Sequence, residues 1–278
     1  DFKVSEDDET PVYGVVKIAI KAASGSTLTT QTKESIVAQL RKFNVASVRP
    51  EIVDPETTSL LLTTNVKFDA NATTKSSDTL KSNVITTLTN YDTDTLNKFD
   101  GVFRYSKVTG LIDDTDTSIL SNITTLKIRK SFTPTLSAST RYDIYFRNAL
   151  HNPHSGHNSA AGGIVITTGF KEPNDDKIYF LDDDGQGNIR KYYLVGSVRT
   201  YTNNTQGTIN YSTGQITINS LTVASIENIR GASSTVIEVT VEPSSNDIVP
   251  VRDQILEIDT ANSSITVESD TFVGGSAD

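Results

Sequence analysis

The chain has 278 residues, a formal net charge of −9, and no Cys, Met or Trp. The missing cysteines exclude disulfides, thiolate metal sites and cysteine nucleophiles. The acidic balance disfavours nucleic acid, because affinity for phosphates comes from Lys and Arg, and no apolar run approaches the ~20 residues of a membrane span. Neither nucleic acid nor a membrane is therefore an expected partner. Since no Met occurs, we expect a fragment of a longer protein.

The first part of the chain predicts alternating strands and helices. Residues 1–11 are acidic and polar and are interpreted as a linker or arm. Alternating apolar residues predict a strand over 12–21, and a helical repeat follows over 36–43. The clearest strand signal is the period-two stripe over 60–68, and a helical repeat over 80–91 follows it.

The next segments complete a predicted domain and begin another. Extended runs are predicted over Val102–Val108 and Ile119–Phe132, which close an α+β domain over 12–132. Beyond residue 133, short alternating runs separated by Gly, Asn and Asp predict a β-rich domain over 133–278. The predicted fold class is therefore α+β. It comprises an N-terminal mixed-sheet α/β sandwich with two helices, followed by a mainly antiparallel β domain.

All three histidines of the chain lie in one short segment, as His151, His154 and His157. Three imidazoles are a common ligand set for Zn²⁺, and a metal-dependent hydrolase built on this segment is one alternative. Pro153 and Gly156 interrupt any helix, so periodicity does not place the three rings on one face. A polar loop between strands is the favoured interpretation.

A second candidate site follows Leu181. Asp182, Asp184 and Gly187 stand at positions 1, 3 and 6 of a calcium loop, but position 12 is Tyr193 rather than Glu. The flanking segments also resemble strands rather than helices, so a tight β-hairpin is favoured. We therefore predict no metal, no cofactor and no catalytic residue, and expect a protein that is not an enzyme.

The order of several motifs resembles that of one protein family along nearly the whole chain. The motifs are Arg49–Pro55, the stripe to Phe68, the helix to Tyr91, the exit at Phe99–Gly101, and the two turn segments 183–188 and 207–214. Together they resemble the baseplate J-like wedge proteins of contractile-tailed phages, in particular the C-terminal half of such a subunit.

The resemblance implies a structural subunit of the tail baseplate wedge, located in the virion and assembled in the host cytoplasm. It implies association with itself, as a homodimer, and with other wedge subunits. It further implies that the subunit links neighbouring wedges into a ring around the hub, and that this ring persists through the switch that triggers sheath contraction. No cofactor and no catalytic residue are implied.

The composition of the second part leaves another function open. A β-rich chain with abundant Ser, Thr and Asn also fits a carbohydrate- or receptor-binding module of a tail fibre or adhesin. Such a module would use Tyr192, Tyr193, Tyr201 and Tyr211 as a stacking surface, although aromatic residues in strands more often belong to a core or sheet face.

Overall fold

The computed structural model describes residues 14–22, 28–43, 48–158, 163–251 and 254–270. Within these ranges the chain forms fifteen strands, three α-helices and one π-helical turn, which confirms the α+β class. The arm predicted over residues 1–11 lies outside the described residues. In chain order, the elements are β1 (Val15–Ala19), α1 (Thr30–Leu40), β2 (Arg49–Val53), β3 (Glu56–Phe68), α2 (Ser77–Tyr91), the π-helical turn (Asp92–Leu96), α3 (Tyr105–Asp113), β4 (Ile119–Phe132), β5 (Thr140–Tyr145), β6 (Ile166–Thr167), β7 (Phe170–Lys171), β8 (Tyr179–Asp183), β9 (Asn188–Val195), β10 (Val198–Asn210), β11 (Gln215–Leu221), β12 (Ser225–Ile226), β13 (Ile237–Val241), β14 (Gln254–Ile258) and β15 (Ser264–Ser269).

The first unit is a small β–α–β motif. Strands β1 and β2 pair in parallel, and α1 connects them. Helix α1 begins where the side chain of Thr29 accepts a hydrogen bond from the N–H of Thr32 at 3.2 Å. None of the residues of α1 is buried, so this motif has little core of its own.

The strand predicted over 60–68 is confirmed and forms the centre of the first sheet. Every second residue of β3 from Thr58 to Phe68 is buried, as period-two alternation requires, and β4 pairs with β3 in antiparallel fashion. The predicted second helix is confirmed as α2, which Ser76 caps. Helix α2 buries four side chains, each of which contributes about 1.5–3 kcal/mol: Leu80, Val84, Leu88 and Tyr91.

A third helix occupies a segment whose sequence predicts a strand. The extended run predicted over Val102–Val108 is wrong, because α3 begins inside it at Tyr105. The carboxylate of Asp247 accepts a hydrogen bond from the N–H of Tyr105 at 2.9 Å, although the two residues lie 142 positions apart. A carboxylate at a helix start satisfies a free N–H and complements the helix dipole. The local sequence does not contain this distant carboxylate and therefore does not predict α3. The described residues thus form three α-helices where the sequence predicts two.

The chain beyond residue 133 contributes to both large sheets. Strands β14 and β15 return to pair in parallel with successive parts of β3, and β13 pairs with β4. The first sheet therefore has the order β14–β3–β4–β13–β6, with β15 also on β3, and is mixed. Its hydrogen bonds cross the domain boundary predicted at residue 132, and that division into folding units stays a prediction.

The second sheet contains seven strands in the order β12–β7–β8–β9–β10–β11–β5, and every pairing in it is antiparallel. One face of this sheet shares a single hydrophobic core with the first sheet. In the part of the chain that the structure describes, no helix has the length and apolar composition needed to cross a membrane.

Candidate interaction surface

Strands β8, β9 and β10 present different side chains on their two faces. Successive side chains of a strand point to opposite sides, and Tyr179, Leu181 and Tyr193 face the shared core. The alternate positions place Phe180 opposite Tyr192 across the β8–β9 pair. Tyr201 is the partner of Tyr192 across the β9–β10 pair, so an aromatic row crosses three strands on the outer face.

Two arginines cover this aromatic row. The ring centroids of Phe180 and Tyr192 lie 5.7 Å apart, and those of Tyr192 and Tyr201 lie 5.6 Å apart. The guanidinium carbon of Arg199 lies 4.9 Å from the centroid of Tyr192, and that of Arg190 lies 4.3 Å from the centroid of Tyr201. Each tyrosine ring is therefore in contact with a cation.

The carboxylate of Asp182 holds both cations. It is fully buried, and it accepts hydrogen bonds from Nε of Arg190 at 2.9 Å, Nη1 of Arg199 at 2.6 Å and the hydroxyl of Tyr201 at 2.8 Å. Burial raises the pKa of Asp182, while the Tyr201 hydroxyl and the guanidinium groups act in the opposite direction. We call Phe180, Asp182, Arg190, Tyr192, Arg199 and Tyr201 the outer-face cluster. Its two guanidinium groups and one carboxylate leave one excess positive charge on an acidic chain.

The turn between β9 and β10 adds an apolar rim to the outer-face cluster. Leu194, Val195 and Val198 are 47%, 58% and 68% exposed, and Val195 pairs with Val198 across the hairpin. Gly196 closes the turn at a φ of 61°, in the left-handed region that glycine adopts without strain. We call these three apolar residues the hairpin tip. Aromatic residues and Arg are enriched in protein interfaces, so the combined surface has the composition of a contact site.

The structure divides the four tyrosines of the predicted stacking surface between the two faces. Tyr192 and Tyr201 belong to the outer-face cluster. Tyr193 packs against the core with its ring centroid 5.9 Å from that of Tyr179. Tyr211 points inward and donates its hydroxyl to Asp183 at 2.6 Å. The four rings therefore do not form one surface.

The carboxylates considered for calcium are already engaged by the protein. Asp184 accepts from the N–H groups of Gln186 and Asn188 at 2.8 and 3.0 Å, and from the side-chain amide of Asn188 at 2.6 Å. Asp182 has the two arginines described above. Strands β8 and β9 pair on either side of this loop, which confirms the hairpin interpretation.

The three histidines lie on a loop, as the sequence predicts, but their rings meet. The loop turns where the N–H of His157 donates to the carbonyl of His154 at 3.0 Å. Nε2 of His154 lies 3.2 Å from Nδ1 of His157, and the ring of His151 lies edge-on to that of His157 with centroids 5.3 Å apart. Among the described residues, no group of three or more His, Cys, Asp or Glu side chains is arranged to hold a metal ion.

The arginines of the outer-face cluster are candidate contact residues that the sequence interpretation did not identify. A signal for them exists, since Arg190-Lys-Tyr192 and Arg199-Thr-Tyr201 repeat one Arg-x-Tyr pattern on either side of a Val-Gly-Ser-Val turn. In an antiparallel hairpin, such a repeat places both pairs on one face. The partner that fixes them, Asp182, comes from a third strand.

Comparison with known proteins relates the chain to one structural family. Residues 4–53 match the family model of the baseplate structural protein gp6, C-terminal domain I, and residues 60–131 match that of its C-terminal domain III. The baseplate wedge protein gp6 of Enterobacteria phage T4 is 28% identical over 182 residues, an alignment that covers 63% of this chain and 27% of the relative. The chain thus spans about a quarter of the length of that relative. The chain is therefore similar to the C-terminal domains I and III of the baseplate structural protein gp6, in two adjacent parts of its first half.

Proposed function

We propose that the chain is a subunit-contact module of the baseplate wedge. It associates with a second copy as a homodimer and with other wedge subunits. Through these contacts it links neighbouring wedges into a ring around the hub, and the ring persists through the switch that triggers sheath contraction. Its role is structural rather than catalytic. Besides the relation to gp6, the observation that carries the proposal is the outer-face cluster with its hairpin tip.

The outer-face cluster suits protein contact because its side chains are already ordered. Tyr and Arg dominate the energetic centres of protein interfaces, but an Arg on a free surface loses rotamer entropy when it binds. Here Asp182 holds both guanidinium groups before any partner arrives. The hairpin tip adds exposed apolar area, and a stable contact needs to bury at least ~1,000 Å² in total.

The same geometry disfavours the carbohydrate-binding alternative. A sugar stacks on a free aromatic face, but Tyr192 is only 8% exposed and lies beneath Arg199. The ring of Tyr201 is in contact with Arg190. Since the guanidinium groups occupy the stacking positions, the surface favours a protein partner.

The test uses the protein together with the other wedge subunits. The variant Val198→Glu places a charge on the hairpin tip, and Ile123→Glu is the matched control, since Ile123 is 75% exposed on β4 of the first sheet. We expect Val198→Glu to weaken self-association in sedimentation velocity and wedge capture in pull-downs by at least about tenfold, roughly 1.4 kcal/mol, with the control unchanged. Equal behaviour of both variants and the parent contradicts this contact surface. Glycan-array binding that is lost in Tyr201→Ala would instead establish the carbohydrate function.

A further inference from the structure

The histidine loop is fixed at several points along its length. The N–H of His151 donates to the carbonyl of Glu242 at 2.9 Å, and the N–H of Gly156 donates to the carbonyl of Gly185 at 2.7 Å. The buried amide of Asn158 donates to the carbonyl of His151 at 2.7 Å. Residues 151–158 therefore have a defined conformation, and the imidazoles on them have defined neighbours.

The protonation of His154 follows from its neighbours. Its Nδ1 lies 3.4 Å from the carbonyl oxygen of Ser155, and a carbonyl oxygen only accepts hydrogen bonds. In the neutral ring, this contact favours the tautomer in which Nδ1 carries the proton and Nε2 carries the lone pair. That lone pair faces Nδ1 of His157 at 3.2 Å. A carbonyl that fixes the tautomer of a histidine is a common outer-sphere feature of metal sites.

The separation of the two nitrogens matches a metal chelate. Two nitrogens bound to one tetrahedral Zn²⁺ at 2.0–2.1 Å lie about 3.3 Å apart. The observed 3.2 Å between Nε2 of His154 and Nδ1 of His157 is close to this value. Both lone pairs point to one ion once the proton of His157 moves from Nδ1 to Nε2 and both rings turn, since an ion at 2.0–2.1 Å from each nitrogen lies about 40° off the line that joins them.

We propose that His154 and His157 chelate a borderline divalent transition metal such as Zn²⁺ or Ni²⁺, ions that suit imidazole ligands. Both side chains are exposed, so the ion enters from solvent and water fills its remaining positions. The ring of His151 packs edge-on against His157 and acts as a positioning residue rather than a ligand. A bound ion would join two points of this loop, a property separate from the proposed subunit contacts.

The experiment uses the full chain without a histidine tag, stripped of metal with a chelator. Isothermal titration with Zn²⁺ alone and with Ni²⁺ alone at neutral pH should give one ion per chain. The double variant His154→Gln/His157→Gln should lose more than about 100-fold in affinity, since losing ligands costs more than the 10–100-fold of outer-sphere changes. The matched control His151→Gln should lose at most about tenfold.

Nuclear magnetic resonance gives a second readout, because the chain contains only three histidines. Long-range ¹H–¹⁵N spectra should show His154 protonated at Nδ1, and saturating Zn²⁺ should move the proton of His157 to Nε2. Thermal unfolding of the metal-free variants should match that of the parent, since both substituted rings are exposed. The proposal is overturned by the absence of binding, by unchanged binding in the double variant, or by an equal loss in His151→Gln.

Discussion

The inner and outer faces of strands β8–β10 bury aromatic side chains by different chemistry. On the inner face, Tyr179 and Leu181 are enclosed by the apolar core that both sheets share. On the outer face, Tyr192 is nearly as buried as Tyr179, but it is covered by an aromatic row and by Arg199. The outer face therefore depends mainly on ring stacking and ion pairs, whereas the inner face depends mainly on apolar packing, with Nζ of Lys191 5.0 Å from the ring centroid of Tyr179.

This difference separates a part of the sheet that maintains the fold from a part that is suited to contact. The burial of an inner-face aliphatic side chain such as Leu181 depends on apolar area rather than on charge. The outer-face cluster depends on the single carboxylate of Asp182, whose hydrogen bonds hold two cations over two rings. Changes on the inner face should therefore alter stability alone. Changes on the outer face should alter stability less and binding more.

The largest effect is expected for a matched pair of leucines. Leu181→Ala removes a buried inner side chain and should lower the free energy of unfolding by about 2–5 kcal/mol through lost burial and a cavity. Leu194→Ala, on the neighbouring strand at the exposed hairpin tip, should change it by no more than about 0.5 kcal/mol. Urea unfolding followed by tyrosine fluorescence measures both. Equal losses would show that the hairpin tip belongs to the core.

The second effect tests the carboxylate of the outer face. Asp182→Asn removes the counter-charge of Arg190 and Arg199 and should lower the free energy of unfolding by about 2–4 kcal/mol. This loss is at the lower end of those measured for broken buried ion pairs, because Arg199 is partly exposed. Asp176→Asn, at an exposed position of the preceding loop, should cost less than about 0.5 kcal/mol. If urea unfolding gives the same small loss for both, the cluster is held by its aromatic rings rather than by the ion pairs.

Much of the first sheet and of its helix α2 could be predicted from the sequence, because these elements follow local rules. The stripe from Leu60 to Phe68 alternates with the pleat of β3, and the repeat from Leu80 to Tyr91 matches the buried side of α2. The Asp-Gly-Gln-Gly segment supplies turn residues to the β8–β9 hairpin. These elements carry their own signals within a dozen residues.

The remaining features depend on partners that are distant in sequence. Helix α3 begins at the carboxylate of Asp247, and the parallel pairing of β14 and β15 with β3 joins segments about two hundred residues apart. The charge of Asp182 is balanced from two other strands. Periodicity in one segment cannot show such pairings. The Arg-x-Tyr repeat indicates the face of the β9–β10 hairpin, but the contribution of Asp182 from β8 follows only from the sheet register.

A smaller effect separates stacking from charge on the outer face. Arg199→Lys keeps the positive charge but removes the planar guanidinium from Tyr192. It should lower the free energy of unfolding by about 0.5–1 kcal/mol. Arg41→Lys, at an exposed position after α1, should be neutral within about 0.5 kcal/mol. Urea unfolding of both variants can be followed by the combined fluorescence of the ten tyrosines, since the chain has no Trp. A variant as stable as the parent would mean that charge alone holds the cluster.

The smallest expected effects are changes in the pKa values of two tyrosines, Tyr179 and Tyr201. Each tyrosine donates its hydroxyl to a different aspartate. Burial, followed by the hydrogen bond to Asp175 at 2.8 Å, raises the pKa of Tyr179 to about 12. Burial, followed by Asp182, raises the pKa of Tyr201. A raised folded pKa means that the tyrosine's contribution to stability is complete below pH 10, its unfolded value. For Tyr179, that contribution is lost as the pH rises from 10 through about 12.

Each acid should therefore act on the tyrosine of its own face. In an alkaline titration followed by NMR, Asp175→Asn should lower the pKa of Tyr179 and leave that of Tyr201 in place. Asp182→Asn should do the reverse, because the Tyr201 hydroxyl donates to Asp182 on the outer face. If one substitution moved both tyrosines, the two faces would be electrostatically coupled through the sheet. The binding of a partner at the outer face would then also shift the pKa of Tyr179 on the inner face.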